Sequence, residues 1–175
     1  MRKIIVGIVI LALTFLTSNI YAQKTIKAQK RLIGGKIEKI EFTDYIENTP
    51  DSKEFNKKFK VLEFWATWCK PCLEAVPHLN ELKSAFNDED DLVFLSVTYE
   101  APEKTQKVLE RIKFETIVVS DQTKKIHNDL NIEYKGMMIL PRTVLIDNSN
   151  KIIWYGTPTE LSAEIIRKFL KNEKI

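Results

Sequence analysis

The sequence predicts an α/β fold in which helices flank a mixed central sheet. Short apolar runs at residues 61–65 and 92–97 are typical of buried strands. The segments between such runs carry apolar residues at helical spacing. After residue 143 the chain has two short strands around a turn, and then a final helical segment. Strands that alternate with helices and close with a hairpin indicate an α/β sandwich.

The first half of the chain contains the clearest junction between a strand and a helix. Before it we expect a flexible start at residues 23–35, a hairpin or edge strand around 31–42, and a short helix or loop at 52–59. The strand at 61–65 is apolar except for Glu63. The buried face of the helix that follows is predicted from apolar residues three or four apart: Leu73, Val76, Leu79, Leu82 and Phe86.

The second half continues the alternation. Its strands are predicted from short apolar runs at residues 92–97, 116–119, 143–146 and 152–155. Its helices are predicted from starting signals: Pro102, a cap at Asp121 for a helix to about Leu130, and a capping box of Thr157, Pro158 and Glu160. We expect the last helix to bury Leu161, Ile165 and Phe169, with Ile166 as a further candidate.

Residues 1–22 are typical of a secretory signal peptide. Arg2 and Lys3 are basic, residues 4–16 are apolar, and residues 17–22 are more polar. We expect cleavage after Ala22 and a periplasmic location; an N-terminal anchor that is kept is the alternative. The predicted division is therefore signal peptide 1–22, flexible segment 23–35 and one domain at 36–175. Without residues 1–22 the chain is nearly neutral, which argues against a nucleic-acid partner.

The only two cysteines, Cys69 and Cys72, lie where the strand at 61–65 turns into a helix. Unpaired N–H groups and the helix dipole favour negative charge at a helix N-terminus, so a thiol there ionises more easily. Lys70 adds a positive charge nearby. The two-residue gap lets both sulfurs meet across one turn. A zinc site with the same spacing and an inert structural disulfide are the alternatives.

The run Phe64-Trp-Ala-Thr-Trp-Cys-Lys-Pro-Cys72, followed by Pro77, resembles the thioredoxin superfamily and, more narrowly, its exported TlpA/ResA-like branch. The resemblance covers roughly residues 36–172. It implies a thioredoxin-like three-layer sandwich, with the helix and strand at about 101–120 as the insertion typical of the TlpA-like branch. It also implies a protein-disulfide oxidoreductase that uses its own dithiol and needs no cofactor or metal.

The resemblance assigns roles to four residues. Cys69 is expected to be the exposed attacking thiolate, and Cys72 the more buried thiol that resolves the mixed disulfide. Glu63 stands where thioredoxins carry a buried aspartate, so we expect burial to raise its pKa and suit it to act as a base for Cys72. Pro141 is expected to be a cis-proline facing the cysteines. Its missing N–H leaves the backbone before it free to pair with an extended substrate.

Other residues around the motif are candidates for contact with substrate. Trp68 is expected to cover the cysteine pair and, with Lys70, to contact partners. After Gly136 the apolar loop, which includes Met138 and Leu140, is longer than is usual in the family. Together with Tyr134 it is either a docking surface or part of the core. Further expectations concern packing: Trp65 in the core, a helix kink at Pro77, and surface or packing positions for His78 and His127.

These features favour an enzyme that reduces disulfides of cell-envelope proteins, with apocytochromes among the candidate substrates. A reductant in an oxidising compartment implies a membrane thiol as electron donor, and with it transient proximity to the membrane. The alternative is a copper or zinc carrier that uses Cys69 and Cys72, although two thiolates do not complete a four-ligand site. A peroxidase is less favoured because the P-x-x-x-T-x-x-C pattern is absent around Cys69.

Overall fold

The computed structural model describes residues 23–175. The predicted signal peptide at 1–22 and its cleavage site lie outside the described residues. Within the described part of the chain, none of the helices combines the length and apolar character needed to cross a membrane.

A six-stranded mixed sheet forms the centre of the fold. Its strands are β1 (Asp44–Glu47), β2 (Phe59–Phe64), β3 (Leu92–Thr98), β4 (Ile117–Ser120), β7 (Arg142–Ile146) and β8 (Ile152–Gly156). The strand order is β1-β4-β3-β2-β7-β8. The central strands β2, β3 and β4 are parallel, whereas β1, β7 and β8 pair antiparallel to their neighbours. Two further short strands, β5 (Glu133–Tyr134) and β6 (Met137–Met138), form a separate hairpin.

Helices lie on both sides of this sheet. Residues 23–30 belong to α1. The other helices are α2 (Lys70–Glu74), α3 (Val76–Ala85), α4 (Pro102–Leu109), α5 (Lys125–Asp129) and α6 (Ala163–Leu170), with a 3-10 helix at Pro158–Glu160. The architecture is the predicted thioredoxin-like sandwich, and α4 with β4 supplies the expected insertion. Pro77 lies in the first turn of α3, so the predicted kink is a break at Ala75 between α2 and α3.

Strand β2 is buried on both faces because it lies at the middle of the sheet. Leu62 and Phe64 face one core, which also contains Val97 and Val144. Val61 faces the other, which α3 and α6 cover. Side chains alternate along a strand, so Glu63 lies on the same face as Val61. This face is the one on which the cysteine helix α2 lies.

The start of the domain differs from the prediction. Residues 23–30, expected to be flexible, are helical, with Thr25 and Gln29 buried one turn apart. Residues 31–42, expected to form a hairpin or edge strand, make only an isolated bridge at Lys36. Ile37, Ile40 and Phe42 are buried in the core, and the three-residue step from Ile37 to Ile40 does not fit the two-residue period of a strand.

Two helix starts also differ from the prediction. Asp121 does not cap α5; the helix begins after Lys124, and the Asp121 carboxylate accepts hydrogen bonds from the backbone N–H and the ring Nδ1 of His127. The predicted capping box is present, but it starts the 3-10 helix. Helix α6 has its own N-cap at Ser162. In α6, Ile166 is buried and Ile165 is only half-buried, because the face of the helix that enters the core carries Ile166 and Phe169.

Candidate active site

Cys69 and Cys72 are joined by a disulfide at the junction of β2 and α2. Cys69 is the N-cap residue of α2, and Pro71 occupies the first helical turn, where an N–H is not needed. The Cys69 carbonyl accepts the N–H of Cys72 at 3.0 Å. The motif therefore folds as the sequence predicts, with the leading sulfur at the head of a helix.

The exposure of Cys69 differs from the expectation. Cys69 is 3 % exposed and Cys72 is 2 % exposed, so both sulfurs are buried in the disulfide form. An apolar cluster surrounds the pair: Trp65, Ala66, Val76, Phe114 and Val118. The disulfide holds the Cys69 sulfur against this cluster, which explains why the expected difference in exposure between the two cysteines is absent.

Glu63 is buried, with 4 % of its surface exposed. Burial raises its pKa to about 8; a hydrogen bond from the Thr143 hydroxyl and the charge of Arg142 act in the opposite direction. Its second carboxyl oxygen, Oε1, has no partner among the described residues. The predicted desolvated carboxyl is therefore present, on the sheet face that carries the cysteine helix.

Sequence reasoning missed the polar neighbours of Glu63. In the sheet register, Glu63 lies opposite Thr143 of β7 and Ser96 of β3. The Ser96 hydroxyl pairs with the Thr116 hydroxyl at 2.7 Å. A row of small polar side chains therefore crosses an otherwise apolar sheet. Isolated hydroxyls in apolar strand sequences are the signal that could have revealed it.

The bond between Leu140 and Pro141 is cis, as predicted. Pro141 directly precedes β7, the strand that pairs with β2. Leu140 packs against the apolar cluster around the disulfide. This contact brings the proline segment and the cysteine pair together in one site.

Trp68 and Lys70 lie at the surface beside the disulfide. Trp68 is 57 % exposed, and its indole N–H donates to the Tyr99 hydroxyl at 3.0 Å. Lys70 is exposed and pairs with Glu74 one turn further along α2, at 3.4 Å. Both are accessible to a partner, whereas Trp65 is buried as expected.

The predicted apolar loop after Gly136 begins with β6, which pairs with β5 in a hairpin. Its turn residues Lys135 and Gly136 both have left-handed backbone, with φ of 53° and 75°, as a two-residue turn of this type requires. Met138 and Leu140 are half-buried and pack against the core. Tyr134 is also half-buried, with the Lys135 ammonium 5.6 Å from its ring centre. A role of these residues in docking stays a prediction.

Among the described residues, neither histidine belongs to a group that could bind a metal together with the cysteines. His127 is fully buried, donates from its ring Nδ1 to the Asp121 carboxylate at 2.8 Å and packs edge-on against Phe64. His78 Nε2 lies 2.8 Å from the Leu161 carbonyl oxygen. Over residues 23–175 no group of three or more histidine, cysteine, aspartate or glutamate residues could hold a metal ion.

Glu100 is a site residue that the sequence did not reveal. It is buried just beyond β3. Its carboxylate accepts the backbone N–H of Thr67 at 2.6 Å and the Thr67 hydroxyl at 3.0 Å, and it pairs with Lys104 at 2.5 Å. Thr67 begins the turn into the cysteine motif, so Glu100 fixes that turn. An acidic residue just after a buried parallel strand, at the edge where ligands usually bind, was the available signal.

Replacing Glu100 with alanine should destabilise the protein by about 2–3 kcal/mol, because two charge-assisted hydrogen bonds to Thr67 are lost. Urea unfolding of the oxidised protein measures this change. Lys104→Ala, which removes only the exposed partner, is the matched control and should have a smaller effect. Equal losses in the two variants would assign the stability to the ion pair instead of the Thr67 contacts.

A disulfide across the first turn of a helix, next to a cis-proline in a thioredoxin-like sheet, defines a protein-disulfide oxidoreductase. The Redoxin family model matches residues 33–167, and the chain belongs to this family. Thiol-disulfide oxidoreductase ResA of Geobacillus thermodenitrificans is 28% identical over 178 residues, covering 99% of this chain and 95% of the relative.

A second relative and a solved structure are also similar to this chain. ResA of Bacillus thuringiensis subsp. konkukian is 27% identical over 146 residues, covering 83% of this chain and 81% of the relative. The solved thioredoxin domain of a thiol-disulfide oxidoreductase from Bacteroides vulgatus has a TM-score of 0.61 and 23% identity, covering 78% of this chain and 96% of that one. The chain is thus a thiol–disulfide oxidoreductase with a redox-active cysteine pair.

Proposed function

We propose that this oxidoreductase is exported and works as a reductant of disulfides in cell-envelope proteins. The observation that carries the proposal is the buried Glu63 carboxyl, whose pKa of about 8 suits a base for a thiol on the same sheet face. The Lys-Pro pair between the cysteines also resembles reducing members of the superfamily.

The reaction starts from the reduced dithiol. The Cys69 thiolate attacks one sulfur of the substrate disulfide, forms a mixed disulfide and releases the other substrate sulfur as a thiolate, which takes up a proton. Glu63 then accepts the Cys72 proton, and the Cys72 thiolate attacks Cys69. The second substrate thiol leaves, and Cys69–Cys72 becomes a disulfide. Two electrons pass to the substrate, and a membrane thiol returns them to the enzyme.

The backbone before Pro141 and several side chains around the disulfide would hold the substrate during these steps. The backbone before Pro141 would pair with an extended segment, since proline itself has no N–H to offer. Trp68 and Lys70 are exposed on one side of the disulfide. Leu140, Tyr134 and Met138 would contact the segment on the other side.

The proposed compartment is the periplasm, reached through the signal peptide at 1–22 with cleavage after Ala22. Apocytochromes awaiting haem are the proposed substrates within the envelope. Mass spectrometry of the N-terminus of protein recovered from the periplasm tests the export: a chain that begins at Gln23 is expected, and a full-length chain in the cytoplasm contradicts it.

The reduction potential tests the direction of the reaction. Equilibration of the cysteine pair in defined thiol buffers should give a value near the reducing end of the superfamily, about −270 mV. A value near about −120 mV, typical of strongly oxidising periplasmic enzymes, would contradict a reductant.

A further inference from the structure

A groove lies beside the cis-proline, on the sheet face opposite Glu63. It has a volume of about 440 Å³ and is bordered by α1, the start of β7 and the end of β8. Its charged residues are Lys30, Arg142 and Glu160. Leu140 lines the groove and also packs against the cluster around the disulfide, so the groove and the cysteine site share a wall.

Arg142 is the unusual residue of this groove. It follows Pro141 directly and is 7 % exposed. Its Nε–H has no acceptor among residues 23–175. Burial lowers the pKa of the guanidinium, although the carboxylates of Glu160 and Glu63 act against this. Because a guanidinium nevertheless stays charged at neutral pH, a mostly buried cation is left with an unused donor.

Gln29 of α1 adds an unused acceptor. Its Nε2 donates to the Asn131 carbonyl at 3.0 Å, which fixes the orientation of the amide. Its Oε1 is buried and has no donor within the described chain. Arg142 and Gln29, which both line the groove, thus each carry a buried polar atom without a partner: one donor that suits a carboxylate and one acceptor that suits an N–H group.

We propose that the groove binds an acidic side chain of the substrate protein, on the segment that carries the disulfide under reduction. This inference rests on the proposed function and specifies its substrate class. The carboxylate pairs with Arg142, and Lys30 at the groove edge adds to the attraction. Glu160 offsets one of these two positive charges, which leaves the groove with one net positive charge; its carboxylate accepts hydrogen bonds from the N–H and hydroxyl of Thr157. A backbone N–H of the same segment donates to Gln29.

The geometry explains why the acidic residue should lie close to the substrate disulfide. An extended segment that pairs with the backbone before Pro141 passes both Leu140 and the groove. Alternate side chains of such a segment point to opposite sides. One side chain therefore enters the groove while a neighbouring cysteine faces Cys69.

Binding of two short fluorescent peptides to the oxidised protein tests the proposal. One peptide carries glutamates on both sides of a central serine in place of cysteine, and the other carries glutamines instead. Fluorescence anisotropy should show about ten-fold tighter binding of the acidic peptide to the wild-type protein, as a charge-assisted pair implies. In Arg142→Gln the ratio of the two affinities should fall to about one.

Arg167→Gln is the matched control, because it removes the same charge from α6, where Arg167 lies over the Phe86 ring. It should retain the ten-fold ratio that the charge-assisted pair predicts, to within about two-fold. Equal affinities of the two peptides for the wild-type protein, or an unchanged ratio in Arg142→Gln, would overturn the proposal.

If Arg142→Gln does not fold, the ratio of the two peptide affinities is measured instead for Lys30→Gln, which changes an exposed residue, and for the wild-type protein with added salt. Each should lower the ratio, salt most strongly between about 0.02 and about 0.5 M. A ratio insensitive to both contradicts the proposal. This binding measurement involves no thiol chemistry. If the protein reduces disulfides but does not prefer the acidic peptide, only the proposal for the groove is wrong. If it prefers the acidic peptide but does not reduce disulfides, only the proposed function is wrong.

Discussion

Cys72→Ala should accumulate a stable mixed disulfide between Cys69 and substrate proteins, whereas Cys69→Ala should accumulate none. Removal of the resolving thiol leaves the first attack intact and blocks only the second step. Both variants should lose disulfide reduction by at least about a thousand-fold, because neither completes the cycle. Insulin reduction measures the loss, and non-reducing electrophoresis with mass spectrometry identifies the trapped partners.

The two cysteine variants control for each other. Each lacks the same cross-link, whose loss costs about 2 kcal/mol for a loop this short. A difference in trapping therefore reflects the role of each sulfur and not the stability of the fold. Equal trapping by Cys69→Ala would contradict the assignment of roles, which burial does not distinguish because both cysteines are buried to a similar degree in the disulfide form.

Glu63→Gln should change how stability depends on pH. The folded-state pKa of Glu63 is about 8, against an ordinary value of 4.5. Between these values the folded protein retains a proton that the unfolded chain has lost, so stability falls as pH rises. In the wild type the free energy of unfolding should fall by about 1.4 kcal/mol per pH unit in this range because of Glu63, and the variant should lack this contribution. Urea unfolding of the oxidised wild type and variant at pH 5, 6 and 7 measures the difference.

The same substitution should slow the resolving step. If Glu63 takes the Cys72 proton, Glu63→Gln should lower the rate of substrate release by about a hundred-fold, and the wild-type rate should rise through about pH 8. Glu74→Gln, which removes an exposed carboxyl from the cysteine helix, is the control and should match the wild type in both measurements. A variant with the wild-type pH slope would mean that Glu63 does not titrate in this range.

Much of this site could be predicted from the sequence because its signals are local. Cys69 and Cys72 lie three residues apart at a strand-to-helix boundary, and Pro141 directly precedes an apolar strand. The carboxyl of Glu63 is conspicuous in an apolar run. Residue type and spacing fix the environment of such groups with little help from the rest of the fold.

The remaining features depend on contacts between distant parts of the chain. The pairing of Glu100 with Thr67 joins residues 33 positions apart. The helical start at 23–30 is stabilised by Gln29, whose amide reaches Asn131, a contact that the basic local sequence does not reveal. The burial of Cys69 likewise depends on Phe114 and Leu140, which come from later elements.

Both outer strands of the sheet are protected against further pairing. Along β8, the Gly34 N–H donates to the Ile152 carbonyl and the Ile152 N–H donates to the Gly35 carbonyl. At the opposite border, β1 has four residues, an irregular register after Tyr45, and acidic residues at both ends. Short, charged or covered borders discourage chain-to-chain aggregation. The edges of the sheet are thus poor sites for a substrate polypeptide to pair with. The backbone before Pro141 is the remaining site, where an extended substrate strand would lie next to the reactive sulfurs.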